Sequence, residues 1–330
     1  MVLATAELHV HIEGTLEPEM AFELSRRNRA RLPFDSVEQL RSHYSFQNLQ
    51  SFLDLYYACT GVLQTARDFA DLADAYLARA RSQGVRHAEI FFDPQAHLSR
   101  GVPLAAVVEG LSASLRDSED RFGMTSGLIA CFLRDRGPEE AMATLDAVLA
   151  HRDRITGVGL DSSEVGWPPA LFTDVFARAR AEGLHSVAHA GEEGPPEYIT
   201  GALDHLRVER IDHGIRCLED PDLVRRLRDE QVPLTVCPLS NVRLRAVERI
   251  QDHPLPAMVH AGLLVTVNSD DPAYFGGYIG DNYQALADHL SLRPSDLLDL
   301  ARNSFRAAFL PPAQRDRYLA DLEGEAPARA

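Results

Sequence analysis

Eight short apolar runs punctuate the chain: Ala6 to Ile12 (AELHVHI), His87 to Phe92 (HAEIFF), Gly127 to Leu133 (GLIACFL), Ile155 to Leu160 (ITGVGL), His185 to Ala190 (HSVAHA), Arg210 to Ile215 (RIDHGI), Pro233 to Leu239 (PLTVCPL) and Leu263 to Asn268 (LLVTVN). From about residue 84 onward they alternate with amphipathic stretches that carry Pro near the start and charge on one face, as in residues 168–183 and 221–231. Runs of strand length recurring between helical patterns mark repeated βα units. Eight of them predict an α/β fold, a (β/α)8 barrel of the TIM type, and a length of 330 residues suits one such domain spanning 1–330.

Two segments do not fit the repeat. The first connection, about residues 16 to 84, is too long for one helix and carries the aromatic cluster Tyr44, Phe46, Phe52, Tyr56 and Tyr57, so extra helices forming a lid are expected there. Past about Asp281 the chain reads as closing helices, and the Ala/Pro-rich end from about 323 to 330 reads as a frayed tail.

Composition removes whole classes of chemistry. All 33 basic residues of the Lys+Arg count are arginines. Without lysine there is no P-loop, no pyridoxal phosphate Schiff base, no protein kinase and no dinuclear hydrolase bridged by a carboxylated lysine. A formal charge of −16 disfavours nucleic acid and anionic membranes as partners. Cys59, Cys131, Cys217 and Cys237 form no CxxC pair, so any metal must rest on nitrogen and oxygen. The opening MVLATAELHVHIEG has no secretory pattern and no later apolar run has spanning length, which predicts a cytoplasmic, soluble protein. The sequence leaves the oligomeric state open.

In a (β/α)8 barrel, catalytic groups sit at the C-terminal ends of the strands. His9 and His11 are two apart on the first strand and point to one face, His189 ends the fifth strand, and Asp270 ends the eighth, which a closed barrel places beside the first. Three imidazoles and a carboxylate suit one zinc ion or a similar divalent cation, with a position left for water. Glu192 follows His189 after the turn expected at Gly191 and can reach across the metal to a substrate, while His213, ending the sixth strand, can orient or deprotonate the water. Of the adjacent Asp270 and Asp271, one binds the ion and the other faces the substrate.

The motifs AELHVHIEGTLEP, SVAHAGEE, ERIDHGI, TVCPLSN and VNSDDPAYFGGY together resemble the adenosine/adenine deaminase family, over nearly the whole chain and in the family's order. EGTLEP, DSSEVG and DDPAYFGGY look most like its adenine deaminase branch. The resemblance implies a zinc-bearing barrel with His9, His11, His189 and Asp270 as ligands, Glu192 as proton donor, His213 assisting the water, Asp270 relaying a proton and Asp271 holding the purine. It implies purine salvage chemistry: metal-activated water adds at C6 of adenine, giving hypoxanthine and ammonia. Glu13 stands where nucleoside deaminases of the family usually carry Asp; its longer side chain can fill sugar space and accept the N9 proton of a free base. Ser163 and Glu164 either add to that wall or serve loop hydrogen bonding. Adenosine, an N6-substituted adenine or another adenosine-like metabolite are the alternative substrates. A one-metal amidase or phosphoesterase would need an oxyanion or phosphate clamp, and a non-catalytic purine-binding protein would be expected to lack one of these groups.

Overall fold

The computed structural model describes residues 3–325. Eight parallel strands follow one another around a sheet in the order β1 to β8: β1 Thr5–His11, β2 Val85–Phe92, β3 Thr125–Leu133, β4 Gly157–Asp161, β5 His185–Ala190, β6 Arg210–His213, β7 Leu234–Val236 and β8 Val265–Val267. All eight apolar runs read from the sequence are strands. The ring closes where the chain beyond β8 meets β1: the His11 backbone donates to Asp270 O at 2.9 Å, and the Asp270 backbone donates to His9 O at 3.0 Å.

Alternation along each strand sorts its side chains into two layers. On β3, Leu128, Ala130 and Phe132 join the core beneath the helices, whereas Ile129 and Cys131 turn inward with Phe91 and Val187 to form a small apolar cluster. Gly159 faces the same space, where a Cβ would lie 2.6 Å from Cys131 Sγ. On β1, Ala6, Leu8 and Val10 pack outward. Glu7, His9 and His11 are therefore left to the buried interior, and the polar layers of the barrel begin there.

Four helices fill the first connection: α1 Pro18–Asn28, α2 Val37–Ser42, α3 Leu49–Thr60 and α4 Ala66–Ser82. Capping boxes start two of them, Asn48 with Ser51 for α3 and Thr65 with Asp68 for α4. Buried Asp68 also accepts from Asn28, which ties α4 to the end of α1. Within the stretch read as a lid, α4 packs against the next crossover helix, Leu104–Arg116, in the outer ring. α3 instead covers the mouth of the barrel: Phe46, Phe52 and Tyr56 pack with Leu244, Tyr274 and Phe275 from the chain beyond β7 and β8. After β8 come the helices Ile279–His289, Pro294–Ala307 and Pro312–Glu325. Of the tail read from about residue 323, the first residues to Glu325 are the end of that last helix, and the rest lies outside the described residues. Among the described residues no helix is long and apolar enough to cross a membrane.

Candidate active site

The groups read from the sequence meet at the C-terminal end of the strands. One ligand atom from each of His9, His11, His189 and Asp270 lies within 4.8 Å of the others. His11 Nε2 is 3.3 Å from His189 Nε2, and Asp270 Oδ1 is 3.4 Å from His9 Nε2 and 3.5 Å from His11 Nε2. Tetrahedral ligands about 2.1 Å from a common ion stand roughly 3.4 Å apart, so this spacing is that of a zinc-sized centre. His9 Nε2 is buried without a hydrogen-bond partner among the described residues, as a nitrogen reserved for an ion would be.

The outer nitrogens of the same rings are held from behind. His9 Nδ1 bonds Thr235 Oγ1 at 2.9 Å, and Thr235 in turn donates to Asp212 Oδ1 at 2.8 Å. Asp212 Oδ2 is 3.5 Å from His189 Nδ1, and Asp161 Oδ2 is 3.7 Å from His11 Nδ1. Partners of this kind fix the tautomer and aim of metal-binding histidines. Burial opposes ionisation of Asp212, but His189 and His9 hold it well below the usual carboxylate range.

Around the cluster stand the proton-carrying groups. Glu192 Oε2 lies 3.5 Å from His213 Nε2, which is 3.7 Å from Asp270 Oδ2. Asn241 donates to Glu192 Oε1 at 3.1 Å and Ser240 to Asp270 Oδ2 at 2.6 Å, both from the turn of helix after β7. Burial, then the charges of Asp270 and Glu164, push Glu192 well above the ordinary carboxylate range and so favour its protonated form. Burial and then His9 push His213 well below its usual value and keep it neutral. Asp271 is likewise raised by burial and by Asp270. Its Oδ1 has no partner among the described residues, and it can stand there only because residue 14 is glycine, whose Cβ would come within 2.0 Å of it.

The backbone at these strand ends is strained. Ser162, His213 and Asp270 have φ of 70°, 65° and 64°, at a cost of roughly 1–3 kcal/mol each. The expected turn at Gly191 is present with φ of 74°. It is clamped by Glu164, whose carboxylate accepts from the backbone N–H of Gly191 at 3.1 Å, Glu192 at 3.1 Å and Gly194 at 2.7 Å. Of the two readings of Glu164, the structure places it in the loop's hydrogen bonding.

Glu13 is wholly buried, one step behind the cavity wall. It accepts from the Asp93 backbone at 3.2 Å and from His97 Nε2 at 2.7 Å, and Arg100, donating to His97 Nδ1 at 2.9 Å, sets that histidine's tautomer. The wall itself is made by Asp93 and Asp161, facing His189, Glu192 and Asp271 beneath Phe52 and Tyr56 of α3. Burial and the neighbouring Glu13 raise Asp93 to about 7, and burial and Asp93 raise Asp161 well above its ordinary value. Sequence reasoning gave no role to Asp93, Asp161, Asp212, Asn241 or His97, although Asp212 stands with His213 at the end of the sixth strand and Asp93 and Asp161 each directly follow a run, which was the signal used for the residues it did assign.

The family pattern described as Adenosine deaminase matches residues 4–323. A Streptomyces coelicolor protein named adenine deaminase is 62% identical over 325 residues, covering 98% of this chain and 96% of its own. A Sphingopyxis alaskensis adenine deaminase is 59% identical over 324 residues, covering 98% and 95%. The crystal structure of an adenine deaminase from Arthrobacter aurescens superposes with a TM-score of 0.96 at 56% identity, covering 98% of both chains. An amidohydrolase from Burkholderia ambifaria with bound Zn superposes with a TM-score of 0.90 at 27% identity, covering 98% of this chain and 90% of that one.

Proposed function

The chain belongs to the adenosine deaminase family, and on that premise we propose that it hydrolyses adenine to hypoxanthine and ammonia with one zinc ion held by His9, His11, His189 and Asp270. The observation that supports adenine as substrate is identity above one half, over nearly the full length, with relatives named adenine deaminase.

When bound, a zinc ion supplies water acidified to a pKa near 7. Glu192, protonated and buried, gives its proton to N1 of the ring as water adds at C6, so negative charge does not build on the purine. His213 Nε2, neutral and flanked by Glu192 and Asp270, takes the proton of the attacking water and, with Asp270 Oδ2, passes it to the departing amine. Asp271, whose protonated form burial and the charge of Asp270 favour, donates to a ring nitrogen and orients the base. Glu13, locked by His97, stands behind the cavity wall and holds the Asp93 backbone in place rather than facing the substrate. The helix α3 closes the site from water with Phe52 and Tyr56.

The test is ammonia release and the accompanying ultraviolet change with adenine, adenosine and an N6-alkyl adenine on metal-replete protein. Adenine is expected to turn over fastest; faster turnover of adenosine rejects the free base as substrate. Glu192→Gln is expected to lose about 100- to 10,000-fold in kcat while keeping its metal, and normal turnover in that variant removes Glu192 from the mechanism.

A further inference from the structure

The cavity carries two acceptors that the proposed chemistry leaves unused. Asp93 ends β2 and Asp161 ends β4; both are buried, at 3% and 2% exposure, and both line the cavity. Neither Asp93 Oδ1 nor Asp161 Oδ1 accepts from an N–H among the described residues; what they have against them is each other's carboxyl and the Tyr56 side chain. A buried carboxyl oxygen without a partner costs stability unless something that binds supplies a donor. Asp93 is also fixed in place, since its backbone N–H is spent on Glu13, which His97 and Arg100 lock from behind.

The chemistry of the missing donor follows from the substrate. Adenine differs from its N9-substituted derivatives by one imidazole N–H, and the reacting edge, N1 and C6, is already taken up by Glu192 and the metal cluster. The remaining donor of an unsubstituted purine is that N–H, and buried acceptors are what it requires. A site that hydrogen-bonds a substrate N–H also rejects analogues lacking it, because the acceptor is then left unpaired.

We propose that Asp93, with the Asp161 carboxyl against it, accepts the imidazole N–H of the bound purine and is the residue that makes the site specific for free bases. The assignment rests on the deaminase reading above and extends it to the far edge of the substrate.

Adenine and 9-methyladenine, assayed on wild-type holoenzyme and on Asp93→Ala, test it. Wild type is expected to favour adenine strongly in kcat/KM. In Asp93→Ala, adenine is expected to lose about a hundredfold while 9-methyladenine holds or gains, so the preference shrinks by at least about tenfold with metal content per chain unchanged. If both substrates fall together, or neither moves, Asp93 does not contact the N–H and the proposal is overturned. Should the alanine variant not fold, isosteric Asp93→Asn takes its place: KM for adenine is expected to rise about tenfold with kcat little changed, and a fall in kcat at constant KM overturns the proposal equally. Wild-type protein that releases no ammonia from adenine would sink the functional reading itself, whereas wild-type turnover with an unmoved preference in the variants sinks only the role of Asp93.

Discussion

At the floor of the barrel Arg210 meets Glu89 at 2.7 Å, donates to Leu8 O at 3.2 Å and Ala307 O at 3.3 Å, and lies over the Phe309 ring at 4.5 Å. Glu89 also bonds His87 and the backbone of Phe309. At the mouth, on the same strands, His9 Nε2, Asp93 Oδ1, Asp161 Oδ1 and Asp271 Oδ1 have no such partners. Both layers are buried and ionisable, but the floor, Arg210 Nε apart, folds its polar groups onto one another and onto the 307–310 segment. The mouth aims them into the cavity and holds His213 and Asp270 at positive φ to do so. A buried polar layer of the first kind specifies the fold, and one of the second kind waits for ligands. Substitutions at the two ends should therefore separate activity from stability.

The largest effect is expected at the mouth. Asp270→Ala removes the one carboxylate of the four-atom cluster and a partner of His213. Bound metal should fall well below one per chain and kcat/KM by at least about a thousandfold, equivalent to about 4 kcal/mol of transition-state stabilisation. The secondary structure seen by circular dichroism should persist. Collapse of the fold on this change would erase the contrast between the two ends.

The converse change is Arg210→Met, which leaves Glu89 buried without its cation. Arg210 and His87 hold Glu89, against its burial, at about 2, so its carboxylate is charged at any working pH. Urea unfolding should register a loss of about 3–5 kcal/mol. The metal-replete folded fraction should keep kcat within about tenfold, although Arg210 Nε comes to 4.0 Å of Asp212 and links the floor weakly to the histidines. A larger loss of kcat than of stability would make the two ends one functional unit.

Glu164 belongs to the mouth by position and to the floor by design, since it is a fully engaged carboxylate that shapes the Gly191–Gly194 turn carrying Glu192. Glu164→Gln offers one good acceptor to three N–H groups. The expected result is a fall in kcat of about ten- to a hundredfold with metal content unchanged and KM for adenine within a fewfold. Unaltered kcat would make the clamp a matter of stability alone.

The sequence was legible where one physical rule governed a whole element. All eight strands stood out because a strand packed on both sides must be apolar, and the metal cluster because closure of the ring brings the first and last strands together. Asp93 and Asp161 obeyed the same strand-end rule, each standing one residue past an apolar run, and were given no role. Asp212, Asn241, Glu164 and His97 act on the site through partners 23 to 84 residues away, some of them backbone atoms, and no local pattern encodes such contacts. Glu13 shows the limit from the other side, since its position beside the histidine pair was evident but its burial behind Asp93 was not.

The smallest expected effect lies at the outer rim of the floor, where His185 opens β5, stacks on Phe309 at 4.0 Å and bonds Glu209 at 3.0 Å. The Glu209 bond raises the His185 pKa above 6.5 against partial burial. A raised folded-state value means that the pair's contribution is fully present below about 6.5 and is lost as pH rises through the folded value. Both side chains are more than a third exposed, at 42% and 47%, so solvent screening holds the contribution under about 1 kcal/mol. Glu209→Gln should lower the melting temperature by about 1–2 °C near pH 5.5 and by less near pH 8.5. An equal loss at both would assign the contact to packing on Phe309 rather than to charge. The floor's grip on the 307–310 segment would then owe its pH dependence to Glu89 and Arg210, whose loss begins only in acid, as pH falls below 4.5 toward 2.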